Sequence, residues 1–102
     1  MEPSELTRDQ IDAMAGTTVL EFGASWCPHC HAARPLVGAE LARHGEIRHL
    51  WIEDGQGKRL GRSFGVKLWP TLVLVRDGQV VARIVRPRSA REVEGLFARA
   101  AA

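Results

Sequence analysis

The chain has 102 residues, the length of one domain built on one core. It is 45% hydrophobic and 25% charged, with a net charge of +2, a balance that excludes a disordered chain and gives no reason to expect nucleic acid. No apolar run approaches the roughly 18 residues that cross a bilayer, and Met1-Glu2-Pro3-Ser4-Glu5 lacks the basic start and apolar stretch of a secretory signal. The expectation is a cytoplasmic protein without a membrane partner; a periplasmic location stays open if a signal has been removed.

Thr7-Arg8-Asp9-Gln10 reads as a capping box, in which a hydroxyl and an amide satisfy free N–H groups at a helix start. A short helix is predicted over residues 8–15, stopped by Gly16. Residues 17–22 (TTVLEF) are β-branched and apolar, as in a buried strand, and Glu21 is the exception. A helical pattern over residues 32–44 is interrupted by Pro35, where a kink is expected, and ends at Gly45. Residues 47–52 (IRHLWI) form a second strand candidate, 54–57 a turn, and 58–64 a short helix ended by Gly65. The apolar run 71–75 is a third strand, joined by the hairpin signal Asp77-Gly78 to residues 80–85. Ser89-Ala90-Arg91-Glu92 is a second capping box, opening a final helix through Val93, Leu96, Phe97 and Ala100.

The order is therefore α-β-α-β-α-β-β-α, without linkers or repeats. Alternation in the first half implies parallel strands with crossover helices, and the hairpin adds an antiparallel pair. This predicts an α/β fold in which a central mixed sheet is flanked by helices on both faces. Arg83, Arg86, Arg88 and Arg91 cluster late in the chain, as a local basic patch or, preferably, as a solvated face.

Cys27 and Cys30 are the only cysteines, two residues apart. A disulfide framework needs more cysteines, set farther apart. Closing so short a loop also removes little entropy from the unfolded chain. The pair therefore reads as chemical. It sits between a strand and a helix; if the helix begins near Cys27, free N–H groups and the positive helix end favour its thiolate. A protonated His29 would add to this. Cys30, one turn along, is expected to be more buried and to keep a higher pKa, so that Cys27 attacks and Cys30 resolves. The alternatives are an inert pair, or a zinc site using His29 and His31 with the two cysteines. Structural zinc sites gather ligands from separated segments, and four ligands within five residues surround one ion poorly. No metal, nucleotide or flavin site is otherwise visible, so the dithiol itself is the redox group.

The stretch Phe22-Gly23-Ala24-Ser25-Trp26-Cys27-Pro28-His29-Cys30 resembles the active site of the thioredoxin superfamily. Pro35 matches the proline that kinks the family's active-site helix, and Trp69-Pro70-Thr71 matches its cis-proline loop. The resemblance covers about residues 17–101 and implies one thioredoxin-like domain over 1–102. It implies that Pro70 is cis beside the dithiol and that the backbone before it pairs with an extended substrate peptide. It also makes Glu21 the buried acid that relays a proton to or from the resolving thiol, a glutamate where aspartate is more common.

Several positions depart from the family pattern. Pro28-His29 replaces Gly-Pro and resembles the strongly oxidising periplasmic disulfide-introducing enzymes, whose inserted helical domain has no room here. Gly23 replaces a common tryptophan, which implies a more open active-site wall. Arg86 stands where a glycine of the flat docking surface is usual, and His49 where a lysine neighbours the buried acid. Trp26 is expected beside the dithiol as a shield, Trp69 at the docking surface, Trp51 in strand packing, and His31 and His44 as solvated helix residues.

The resemblance implies a thiol–disulfide oxidoreductase, a monomer acting on protein or peptide substrates and served by a separate redox partner such as a reductase. Reduction is the expected direction in the cytoplasm. A disulfide donor and a non-enzymatic redox-sensitive binding or chaperone module are the alternatives.

Overall fold

The computed structural model describes residues 6–101. Helix α1 (Arg8–Asp12) leads to strand β1 (Thr17–Gly23), helix α2 (Pro28–Arg43) and strand β2 (Arg48–Glu53). Helix α3 (Arg59–Ser63), strands β3 (Thr71–Arg76) and β4 (Gln79–Val85), and helix α4 (Ala90–Ala98) follow, with a closing 3-10 turn at Arg99–Ala101. Both capping boxes form. The Thr7 hydroxyl accepts from the N–H of Gln10, whose side chain accepts from the N–H of Thr7, and Ser89 and Glu92 repeat the exchange at α4.

The four strands form one mixed sheet in the order β2-β1-β3-β4. β1 and β2 run parallel, connected by α2, while β3 is antiparallel to both β1 and β4. The β3–β4 turn places Asp77 at φ 49° and Gly78 at φ 81°, the two positive values that this two-residue hairpin requires. Gly78 has a second constraint, since a Cβ there would run into the Asp12 carbonyl.

Alternation along the central strands builds a core on each face. Leu20 and Phe22 of β1 and Val73 and Val75 of β3 meet Ile11, Leu60 and Phe64 from α1 and α3. Val19, Leu72 and Leu74 point the other way, against Val37 of α2 and Val93, Leu96 and Phe97 of α4. Glu21 lies on this second face, between Val19 and Gly23, so the strand carries a carboxylate into the layer beneath α2.

Three boundaries differ from expectation by two residues or more. α1 ends at Asp12, three residues early, where Ala13 caps it. α4 gives way to the 3-10 turn after Ala98. α2 begins at Pro28, four residues ahead of the apolar pattern, because proline is well suited to the first helical position, where its missing N–H has no intrahelical partner anyway. His44 is not simply solvated. Its ring packs 5.3 Å from that of Phe97 and its Nε2 lies 3.2 Å from the buried Glu40 carboxylate.

Candidate active site

Cys27 is the N-cap residue of α2, with extended backbone at φ −81° and ψ 122°, and Pro28 follows in the first turn. The N–H groups of Cys30 and His31 reach the Cys27 carbonyl at 3.1 and 3.2 Å, fixing that turn. Both thiols are free, Cys27 4% exposed and Cys30 fully buried.

Their environments push them apart. Burial alone raises the Cys27 pKa, but the Cys30 N–H, the Cys30 thiol, the His29 N–H and the Arg86 charge together bring it below the ordinary thiol value. Cys30 is raised to about 11, first by burial and then by the thiol and charge of Cys27 and the charge of Glu21, against one backbone hydrogen bond involving Ala24. One helix turn thus holds an acidic thiol beside a weakly acidic one.

Beneath Cys30 the strand end is shaped around sulfur. A Cβ on Gly23 would lie 2.6 Å from the Cys30 Sγ and 2.7 Å from the Trp51 ring. The open wall expected at Gly23 is therefore filled: Trp51, reaching across from β2, packs against the Cys27–Cys30 cluster together with Trp69. Two residues back on the same face, Glu21 is 4% exposed. Its Oε1 pairs with His49 Nε2 at 2.8 Å, while its Oε2 has no hydrogen-bond partner among the described residues. A cavity of about 200 Å³ lined by Glu21, His49, Trp51 and Arg34 opens beside this carboxylate.

On the other side of the dithiol, the Trp69-Pro70 peptide bond is cis. The Trp69 indole N–H donates to Asp54 Oδ2 at 2.9 Å, and the Trp69 carbonyl accepts from Arg86 Nε at 2.7 Å. Trp26 stands 71% exposed, its ring edge-on to Trp69 at 5.6 Å. It flanks the dithiol rather than shielding it; Trp51 and Trp69 do the covering. Glu53 braces the loop between β1 and α2, accepting from the Ser25 N–H at 3.0 Å and from the Trp51 indole at 3.1 Å.

Cys27, Cys30, Glu21, Trp69 and Pro70 are thus brought together around one strand end, with Pro28 and His29 exposed on the first turn of α2. The His29 N–H and the Arg86 charge both help to lower the Cys27 pKa. His31 is exposed but not idle, its Nε2 lying 2.6 Å from the Ser25 carbonyl. Arg86 also leaves the solvated arginine face, where Arg83, Arg88 and Arg91 remain exposed. Sequence reasoning missed Trp51, Glu53 and Asp54 as parts of the site. The available signal was Gly23: a strand glycine marks close approach by another group.

The Thioredoxin family model matches residues 4–99. Thioredoxin Asp f 28 of Aspergillus fumigatus is 28% identical over 81% of this chain and 77% of its own length. Thioredoxin H2-1 of Oryza sativa subsp. japonica is 34% identical over 72% of this chain, which spans 56% of that relative. The structure of thioredoxin 2 from Pseudomonas aeruginosa PAO1 in its reduced form aligns with a TM-score of 0.84 at 50% identity, covering 94% of this chain and 90% of that one. With a match across nearly its whole length, the chain belongs to the thioredoxin family and is a thiol–disulfide oxidoreductase.

Proposed function

We propose that the protein reduces disulfides in extended segments of other proteins, with Cys27 as nucleophile, Cys30 as resolving thiol and Glu21 as proton acceptor. The observation that carries the roles of the two thiols is their opposite displacement on one helix turn, Cys27 below the ordinary value and Cys30 up to about 11. The Cys27 thiolate attacks one sulfur of the substrate disulfide, and the other sulfur leaves as a thiolate. Cys30 then gives its proton, through water, to Glu21, whose Oε2 is unpaired among the described residues. The resulting Cys30 thiolate attacks the Cys27 sulfur, releasing the second substrate sulfur and leaving a Cys27–Cys30 disulfide. Two electrons have passed from the protein to the substrate.

His49, partly exposed and bonded to Glu21, gives that proton a path to solvent. The substrate backbone lies along Trp69 and Pro70, with Trp26 offering an apolar contact beside it. The dithiol serves as the only redox group, and a separate reductase in a reducing compartment, the cytoplasm, restores it.

A second reading, disulfide donation, uses the same residues in reverse. It is favoured by the lowered Cys27 pKa, since stabilising a thiolate that exists only in the reduced protein raises the reduction potential. Equilibration with glutathione separates the two directions. Trapping tests the roles: Cys30→Ser should accumulate substrate linked to Cys27, and Cys27→Ser should abolish exchange. Substrate linked mainly to Cys30 in the wild type would reverse the assignment. No turnover above free dithiol would leave a binding module instead.

A further inference from the structure

Arg86 combines features that the exchange reaction itself leaves unexplained. It follows β4 with φ at 49°, a left-handed backbone that glycine adopts freely and that a side chain disfavours. The backbone is nonetheless fixed there, with the Arg86 N–H donating to the Pro70 carbonyl at 2.9 Å. The half-buried side chain turns back over the cis-proline, and its Nε donates to the Trp69 carbonyl at 2.7 Å. This is the only hydrogen bond of the guanidinium among the described residues, so both terminal NH2 groups keep their donors.

The acids around the site do not neutralise this charge. Glu53 accepts from Ser25 and Trp51, Asp54 from Trp69, and Glu21 pairs with His49. The cation also lies within electrostatic reach of the Cys27 sulfur, whose pKa it helps to lower. A planar fork of donors anchored at one end is suited to a carboxylate, which accepts two parallel N–H bonds.

We infer that Arg86 is a specificity-determining residue, its guanidinium binding a carboxylate in the substrate segment next to the disulfide that Cys27 attacks, so that acidic segments are preferred. This rests on the oxidoreductase reading and names the substrate class for the same site. The Trp69 carbonyl holds Nε, and the terminal NH2 groups receive an aspartate or glutamate of the docked peptide.

The test compares disulfide-linked peptides identical except for aspartate or asparagine beside the cysteine. For the wild type, kcat/KM should favour the acidic peptide by about three- to tenfold at low salt, mostly through KM, the range for an ion pair at a partly exposed site. High salt should shrink the ratio. Arg86→Gln and Arg86→Gly should bring it to near one, and Arg86→Lys should retain part of it. Glycine is at ease at this backbone angle, so Arg86→Gly guards against misfolding. Any loss of Cys27 thiolate in these variants affects both peptides alike and cancels in the ratio. A wild-type ratio near one, or one unchanged in Arg86→Gln, would overturn the assignment while leaving the oxidoreductase intact. Turnover of neither peptide by the wild type would remove the oxidoreductase reading and this inference with it.

Discussion

Position 23 has no room for a β-carbon. Cys30 Sγ and the Trp51 ring occupy the space at 2.6 and 2.7 Å from where it would stand. Both are held, the sulfur by full burial and the indole by its bond to Glu53. Gly23→Ala is therefore expected to destabilise the fold by roughly 1–3 kcal/mol, the usual cost of overpacking a filled core. A lower urea midpoint at unchanged m-value checks this; an unchanged midpoint would mean that the indole moves aside freely. At this scale the sequence was only partly legible. Cys27 and Cys30 stand out from motif and spacing, and the cis-proline follows from the resemblance of Trp69-Pro70-Thr71 to the family's loop. Trp51 reads only as strand packing and Arg86 only as a departure at the docking surface, because their contacts run across the sheet and across the Trp69-Pro70 loop. His29 contributes its backbone N–H to lowering the Cys27 pKa, and Arg86, distant along the chain, adds a charge that proximity in sequence does not reveal.

Helix starts were the elements most readable from sequence, because a capping box states its own hydrogen bonds. In α4, Ser89 accepts from the Glu92 N–H at 3.3 Å while Glu92 accepts from the Ser89 N–H at 3.0 Å. Glu92 also accepts from the Arg88 N–H at 2.6 Å. Ser89→Ala should cost about 1 kcal/mol, read as a fall in the urea midpoint; no loss would show that Glu92 alone holds this end. The start of α2 was harder to place. It has no side-chain cap hydrogen bond, and its first turn is dominated by cysteine, histidine and proline rather than by a capping pattern. The absence of a side-chain cap has a chemical use. N–H groups that a serine or aspartate would have occupied are available to the Cys27 sulfur instead. β2, expected over residues 47–52, spans Arg48–Glu53, although its face toward α2 carries the polar His49 and Glu53 on either side of Trp51, because Leu50 and Ile52 mark the other face.

Across the whole molecule, the sheet order β2-β1-β3-β4 puts the active-site strand at the centre. β1 delivers Glu21 beneath α2 and ends where α2 begins, and β3 starts beside it at the cis-proline. Glu53 and Asp54, at the end of β2, tie these parts together through Ser25, Trp51 and Trp69. The Asp54 N–H adds a bond to the Gly23 carbonyl at 2.7 Å. This arrangement was foreseeable in outline, because alternating elements and one hairpin leave few ways to build a mixed sheet with two covered faces. The acidic brace was not, since Glu53-Asp54 reads as an ordinary strand end.

The proposed exchange turns on one asymmetry, a Cys27 that ionises early and a Cys30 that ionises late. Alkylation of the reduced protein at increasing pH, with each cysteine quantified by mass spectrometry, measures it directly, because only the thiolate reacts. A lowered pKa means that Cys27 labelling rises and levels off at a midpoint below the ordinary value of 9.0. Cys30, its pKa raised to about 11, should stay unlabelled through that range and react only in strong alkali. Equal labelling of the two thiols, or a Cys27 midpoint at or above 9.0, would contradict the assignment of nucleophile and resolving thiol.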